Sequence, residues 1–280
     1  MNNPSPHTYG RGRKGGKPVN RRFTPRTTKA VFFDMNNTLI DAKASFDACF
    51  LHVLTDFAGR WDPGEGDWNP RRVLETYRTE WGKLAAKAEG RPERLEEAKK
   101  KGLQKALRHY PFQVNDGFVR SFFREMHNQM REHAVPFAGV ADTLSALSGA
   151  YALGVVTNGS KEQQQRVLRR LKLSGFIPDE RVFASTRSGY RKPHPALFRE
   201  ALRATGVRAA ESVMVGDSWK NDISGAIRCG MKAVWMNRAA GNGGKSGERT
   251  GSDGSVRRLG ETEVPLVPGM KALLELFETR

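Results

Sequence analysis

A carboxylate, a Thr-Asn-Gly triplet, a lysine and a pair of carboxylates are spaced along this chain so that each comes after a short apolar run. Asp34 opens Asp34-Met35-Asn36-Asn37-Thr38-Leu39 directly after Ala30-Val31-Phe32-Phe33. Thr157-Asn158-Gly159 follows Tyr151–Val156, and Lys192-Pro193 lies downstream of Val182-Phe183-Ala184. Gly216-Asp217, with Asn221-Asp222 behind it, follows Ser212–Val215. Carboxylates attack phosphorus to form acyl phosphates, so Asp34 is a candidate nucleophile. The Thr157 hydroxyl and the amides of Asn158 and Gly159 are a candidate phosphate-binding nest. Lys192 offers a point charge to a phosphate oxygen. Asp217 and Asp222 offer the hard oxygens that magnesium prefers. A nucleophile, charge neutralisation and anion-binding donors are what phosphoryl transfer requires.

Groups so distant in sequence meet only if the fold gathers them. The apolar runs read as buried parallel strands. Helical patterns lie between them: 139–149, 160–172 with Ser160 as N-cap, 195–205 entered through Pro193-His194-Pro195, and 220–229 stopped by Gly230. Lys232–Met236 reads as the last clear strand. Strand–helix alternation with short loops predicts an α/β fold, a doubly wound, Rossmann-like parallel sheet. In such a sheet ligands bind outside the carboxyl ends of the strands. Asp34, Thr157 and Asp217 stand at such ends, so the topology brings them to one edge. The core is expected over 30–42 and 136–280. Between its two parts, 43–135 is amphipathic and helical, with 59–70 a Trp/Gly/Pro/Asp-rich loop joining helices, and reads as an inserted helical cap domain. Residues 1–29 read as a disordered basic tail, 239–263 as a flexible loop, and 269–278 as a closing helix.

These four groups, in this order, resemble the active-site motifs of the haloacid dehalogenase superfamily. The resemblance spans about residues 30–236. Phe32-Phe33-Asp34-Met35-Asn36-Asn37-Thr38-Leu39-Ile40-Asp41 is similar to the subgroup that includes sialic-acid and nucleotide monophosphate phosphatases, which also carry a helical cap between the first and second motifs. The resemblance implies a magnesium-dependent phosphohydrolase acting on a small phosphorylated substrate through an aspartyl-phosphate. Asp34, Asn36, Thr157 and Lys192 would form the catalytic set, and Thr157, Asn158, Gly159 and Lys192 would bind phosphate. The metal site would comprise Asp34, the backbone carbonyl of Asn36, Asp217 and Asp222, the last acting from behind or orienting Lys192.

One departure matters. The phosphatases carry Asp-x-Asp where this chain reads Asp34-Met35-Asn36. An asparagine cannot pass a proton to the leaving oxygen, and such help is typically worth about 10²–10⁴ in rate. Alkyl esters should suffer most, aryl and acyl phosphates less. A family member that binds phosphate or a partner with little or no turnover is therefore an alternative. Halide- and phosphonate-cleaving branches also lack the second Asp. The former lacks the metal motif kept here as Gly216-Asp217. The latter needs a Schiff-base lysine, for which Lys83 is a candidate. In the cap, Trp61, Trp68, Tyr77, Trp81, Arg71 and Arg72 could read substrate or serve as core and solvated surface.

The formal net charge is +17. Arg11, Arg13, Lys14, Lys17, Arg21, Arg22, Arg26 and Lys29 stand in 1–29 with no acid. That tail could contact nucleic acid or another polyanion weakly, although Tyr9 and Phe23 are too few for base stacking. No apolar run approaches the ~20 residues of a membrane span, and the basic N-terminus lacks a secretory apolar stretch. Cys49 and Cys229 make no disulfide framework, which points to a cytoplasmic protein.

Overall fold

The computed structural model describes residues 25–59, 68–110, 113–185, 189–238 and 256–278. Seven strands form one sheet: β1 (Ala30–Phe33), β2 (Ala152–Thr157), β3 (Val182–Ala184), β4 (Ser212–Gly216), β5 (Lys232–Met236), β6 (Val256–Leu259) and β7 (Thr262–Val267). Their order is β3-β2-β1-β4-β5-β7-β6. All pairs are parallel except β6 with β7. The chain runs outward from β1 to β3, then returns to the other side of β1 as β4. This reversal opens a crevice at the carboxyl ends of β1 and β4.

The strand β1 shows why the sheet is covered on both faces. Successive side chains point to opposite faces of a strand. Val31 and Phe33 join one core cluster with Val140, Leu144 and Leu273, whereas Ala30 and Phe32 join another with Leu197, Phe198 and Ala201. The first cluster is closed by α5 (Val140–Ser148), α6 (Lys161–Arg170) and α9 (Met270–Glu278). The second is closed by α7 (Pro195–Thr205). After β4 comes a π-helical turn, Trp219–Ile223, which runs into the short α8 (Ser224–Arg228).

Between β1 and β2 stand α1 (Ala42–Gly59), α2 (Pro70–Ala86), α3 (Pro92–Leu107) and α4 (Asp116–Gln129). Asn69 and Asn115 cap α2 and α4, accepting from the amides of Arg72 and Phe118. Phe50, Val53, Leu54, Leu103, Leu107 and Phe122 build a cluster of their own inside this block. Aromatic edges lock it, with Phe50 and Phe122 ring centroids 5.2 Å apart. The two segments joining block and sheet lie side by side. Asp41 N donates to Val135 O at 2.8 Å, Val135 N to Ser45 Oγ at 2.9 Å, and Phe137 N to Leu39 O at 3.0 Å.

Three expectations need correction. The expected flexible loop 239–263 contains β6 and the start of β7 in 256–263, and its residues 239–255 lie outside the described residues. Pro265 masked β7 in the sequence; the strand tolerates it because pairing with β5 begins only at Leu266. The tail read as disordered over 1–29 is structured at its end: Pro25–Thr27 form a 3-10 turn, Thr28 is buried, and Lys29 pairs with Glu211 at 2.9 Å. Residues 1–24, with most of the basic side chains, lie outside the described residues, as does Trp61. Finally, Ser160 does not cap α6 with its side chain; its hydroxyl donates to Glu162 at 2.8 Å.

Candidate active site

Asp34 is the first residue past β1, and its amide still donates to Val215 O at 2.9 Å. That bond carries the β1–β4 pairing one residue beyond the strand and fixes where the carboxylate starts. Lys192 enters from the segment after β3 and is only 5% exposed. Its Nζ lies 2.5 Å from Asp34 Oδ1 and 2.7 Å from Asp222 Oδ1, and it donates to Val156 O at 2.7 Å. The ammonium is thus hydrogen-bonded to Asp34 and Val156 O and ion-paired with Asp222, which holds its charge at one point. Asn158 braces the lysine backbone from both sides: Asn158 Oδ1 accepts from Lys192 N at 2.7 Å and Asn158 Nδ2 donates to Lys192 O at 3.2 Å.

The π-helical turn aims Asp222. Its Oδ2 accepts from Ser218 N at 2.9 Å while Oδ1 faces Lys192. This carboxylate packs so close to β4 that a Cβ at Gly216 would fall 2.4 Å from Oδ2. A glycine is required there for close approach rather than for its backbone angles. Asp34, Asp217 and Asp222 each place a carboxylate oxygen within 4.8 Å of the other two. Three carboxylates against one ammonium leave an excess of negative charge in a half-buried pocket. Burial, helped by Asp222 and Asp217 and opposed by Lys192, lifts Asp34 to about 6. Burial and Asp222 also raise Asp217. Burial alone pulls Lys192 down, but Asp34 and Asp222 outweigh it and hold the ammonium above its ordinary value. Crowded hard oxygens with unbalanced negative charge fit a small divalent cation such as magnesium. Lys192 is shared by Asp34 and Asp222, and Asp222 also accepts from Ser218 N, which leaves Asp217 as the carboxylate of the three without a lysine contact.

The expected residues Asp34, Thr157, Asn158, Gly159, Lys192, Asp217 and Asp222 therefore stand around one crevice. Thr157 ends β2, and its Oγ1 accepts from Gly159 N at 3.2 Å. Asn36 is exposed in the turn after Asp34, where it bridges to Ile40. Asn37 stands next in the turn, at φ 58°. Asparagine is among the few residues that enter this left-handed region readily. Lys83 is exposed and paired with Glu80 at 2.9 Å.

Sequence reasoning missed Trp235, Trp219, Arg257 and Arg238. The Trp235 indole donates to Asp217 O at 2.8 Å. Trp219 packs edge-on against Trp235 at 5.2 Å, and the Arg257 guanidinium lies 4.0 Å from the Trp219 ring. Arg238 Nη2 donates to Thr38 O at 3.0 Å and its guanidinium covers the Phe137 ring at 3.4 Å, tying the turn after Asp34 to the end of β5. The strand-end rule that selected Asp34 and Asp217 applies equally to Arg238, two residues past β5. Nothing local marks Trp235.

Residues 28–230 match the family model described as haloacid dehalogenase-like hydrolase. A glyceraldehyde 3-phosphate phosphatase of Pyrococcus furiosus is 29% identical over 212 residues, covering 75% of this chain and 81% of that protein. The N-acylneuraminate-9-phosphatase of Rattus norvegicus is 23% identical over 224 residues, covering 76% and 84%. Among solved structures, the magnesium-bound HAD-hydrolase YfnB of Bacillus subtilis superposes with a TM-score of 0.58 at 22% identity, over 90% of this chain and 99% of that one.

Proposed function

The chain belongs to the haloacid dehalogenase-like hydrolase family, and from that premise we propose that it is a magnesium-dependent phosphohydrolase of small phosphate esters. One observation carries this reading: Lys192 is clamped between Asp34 and Asp222 beside Asp217, at the carboxyl ends of β1 and β4. The phosphatase names of its relatives support the same class.

In this mechanism Asp34 attacks phosphorus and the ester P–O bond breaks. The phosphoryl group rests on Asp34 until water displaces it. Thr157, the amides of Asn158 and Gly159, and Lys192 hold the phosphoryl oxygens. Asp222 and the Asn158 side chain position Lys192. Asp34, the backbone carbonyl of Asn36 and Asp217 would hold magnesium, whose charge would offset that of the transferring group. Asn36 leaves the departing oxygen without a proton donor. Residues 43–135, as a cap on paired connecting segments, would close over the crevice and exclude water. Among the described residues no helix is long and apolar enough to cross a membrane. Both cysteines are free, which suits the reducing cytoplasm.

The test is hydrolysis of an aryl phosphate with magnesium by the native chain, Asp34→Asn and Asn36→Asp. Native turnover lost in Asp34→Asn and in EDTA is the expected result. Turnover that survives either change would overturn the mechanism. A silent native chain awakened by Asn36→Asp would favour the second reading, a phosphate-binding relative that has lost its proton-transfer group.

A further inference from the structure

Basic side chains on the surface are partnered unevenly. In the helical block many are neutralised: Lys83 and Lys105 share Glu80, and Lys99 and Lys100 pair with Glu96 and Asp116. The outer face of α7 and α8 is different. Arg199 and Arg203 lie one helical turn apart on α7, and both are exposed. Arg228 is exposed at the end of α8. The two helices are packed together, for a Cβ at Gly225 of α8 would fall 2.6 Å from the Phe198 ring of α7. Arg191, Arg199, Arg203 and Arg228 form no ion pair among the described residues, and Glu200 is the acid on these two helices. Unneutralised charges of one sign on neighbouring elements add into a positive field.

An aromatic pair stands where α7 begins. Tyr190 is 49% exposed and stacks on His194, with ring centroids 4.2 Å apart and planes 8° apart. His194 caps α7: its Nδ1 accepts from Ala196 N at 3.2 Å, which fixes the ring. Two residues beyond Tyr190, Asn158 holds the Lys192 backbone at both N and O. The pair is therefore in place before any ligand arrives, so little conformational freedom is lost on binding. At the other end, Gly206 stops α7 and the chain passes through Ala209–Glu211 into β4. There Lys29 N donates to Glu211 O at 2.7 Å, and Lys232 Nζ donates to Thr27 Oγ1 at 2.7 Å. The segment before Pro25 joins the fold at this point, and it holds six lysines and arginines and no acid. Aromatic pair, arginine row and basic segment thus follow one another from the carboxyl edge of the sheet to its amino edge.

Guanidinium groups suit phosphates, which they bind through paired N–H donors. Arg199 and Arg203 are about 6 Å apart along the helix axis, close to the step between phosphates in an extended nucleotide strand. Tyr190 adds what phosphate alone does not require, a flat ring for an unpaired base. A duplex keeps its bases stacked inside and cannot use such a ring. An acidic peptide satisfies the arginines but leaves the aromatic pair without a part. A lipid surface needs an apolar face, and Leu197, Phe198, Ala201 and Leu202 of α7 are turned into the core. We propose that the Tyr190–His194 stack and the arginines of α7 and α8 form a docking surface for single-stranded nucleic acid. Backbone phosphates lie on Arg199, Arg203 and Arg228, and a base lies on Tyr190. The surface is distinct from the Asp34 crevice and does not depend on turnover there.

The experiment measures binding to the full chain by fluorescence anisotropy. The probe is a fluorescein-labelled uridine oligonucleotide of about 16 nucleotides, compared with an abasic strand of equal length and with a duplex. Tyr190→Ala should weaken binding of the uridine strand about 5–100-fold, as loss of a stacked base does, and leave the abasic strand and the duplex unaffected. Tyr190→Phe keeps the ring and should bind as the native chain does. The double variant Arg199→Ala, Arg203→Ala should weaken both single strands and lower the slope of log affinity against log salt by about 1–1.5. Native affinity and salt slope in that double variant would assign all binding to the segment before Pro25 and overturn the proposal. Equal losses of the uridine and abasic strands in Tyr190→Ala would reduce the ring to a structural brace, which also overturns it. A polyglutamate peptide or a phosphatidylserine vesicle that binds through Arg199 and Arg203, while the uridine strand does not bind, would give the face to an acidic protein or a membrane instead.

Discussion

At the scale of single residues, the site sets three carboxylates against one ammonium. Asn36→Asp should restore general acid help and speed alkyl phosphate hydrolysis by about 10²–10⁴. Aryl esters should gain much less, so the ratio of the two gains is the measurement. Asp34 makes a second, thermodynamic prediction. Its folded pKa of about 6 exceeds the ordinary 3.8. Between those values the folded chain holds a proton that the unfolded chain releases. The stability this group contributes is therefore full below about 3.8 and lost as pH rises through about 6. In EDTA at pH 8, Asp34→Asn should be more stable than the native chain, by about 1–3 kcal/mol, with the gap closing toward pH 4. Urea unfolding at the two pH values measures it. A variant less stable at pH 8 would mean that Lys192 needs Asp34 more than burial resists it.

At the scale of elements, the strand ends and the turn after β4 hold the carboxylates in place. The β6–β7 hairpin brings Arg257 over Trp219, Trp219 packs on Trp235, and Trp235 donates to Asp217 O. Trp235→Phe keeps the packing but removes the N–H. A net hydrogen bond is worth about 0.5–1.5 kcal/mol, so magnesium affinity should fall about 2–10-fold. Calorimetric titration with magnesium reads this directly, and unchanged affinity would reduce the tryptophan pair to a structural brace. Gly216→Ala tests the opposite wall of the site. Its Cβ would collide with Asp222, and overpacking of this kind costs about 1–3 kcal/mol. Because Asp222 holds Lys192, phosphate affinity should fall together with stability. A variant that loses stability but binds phosphate normally would break that link.

At the scale of the whole molecule, the helical block and the sheet have separate cores. Phe122 is fully buried in the block's cluster, which shares no residue with the clusters on the sheet. Phe122→Ala should cost about 3–5 kcal/mol. Its loss should appear first as faster amide exchange in α1–α4, while the β1 and β4 amides stay protected. Simultaneous loss in both would show that the two cores unfold as one cooperative unit. The paired segments 39–41 and 135–137 are where such coupling would pass.

The sheet core was legible because its causes are local. Four apolar residues before Asp34 and the run before Asp217 announce buried parallel strands by composition alone. The order of the motifs then limits where their ends can meet. The hairpin 256–267 was hidden because Pro265 and the charges of β6 resemble a loop, and only pairing with β5 gives β7 its place. Sequence determined the chemical inventory: a carboxylate with Asn36 in place of a second acid, Thr157, Lys192, and two further carboxylates. Tertiary structure alone decided the division of labour among them. Both oxygens of Asp222 are engaged with Lys192 and Ser218, Asn158 braces a backbone 34 residues away, and Trp235 reaches the carbonyl of Asp217. Those assignments depend on distances of a few ångströms between segments far apart in the chain, and residue spacing along a sequence carries no record of such distances.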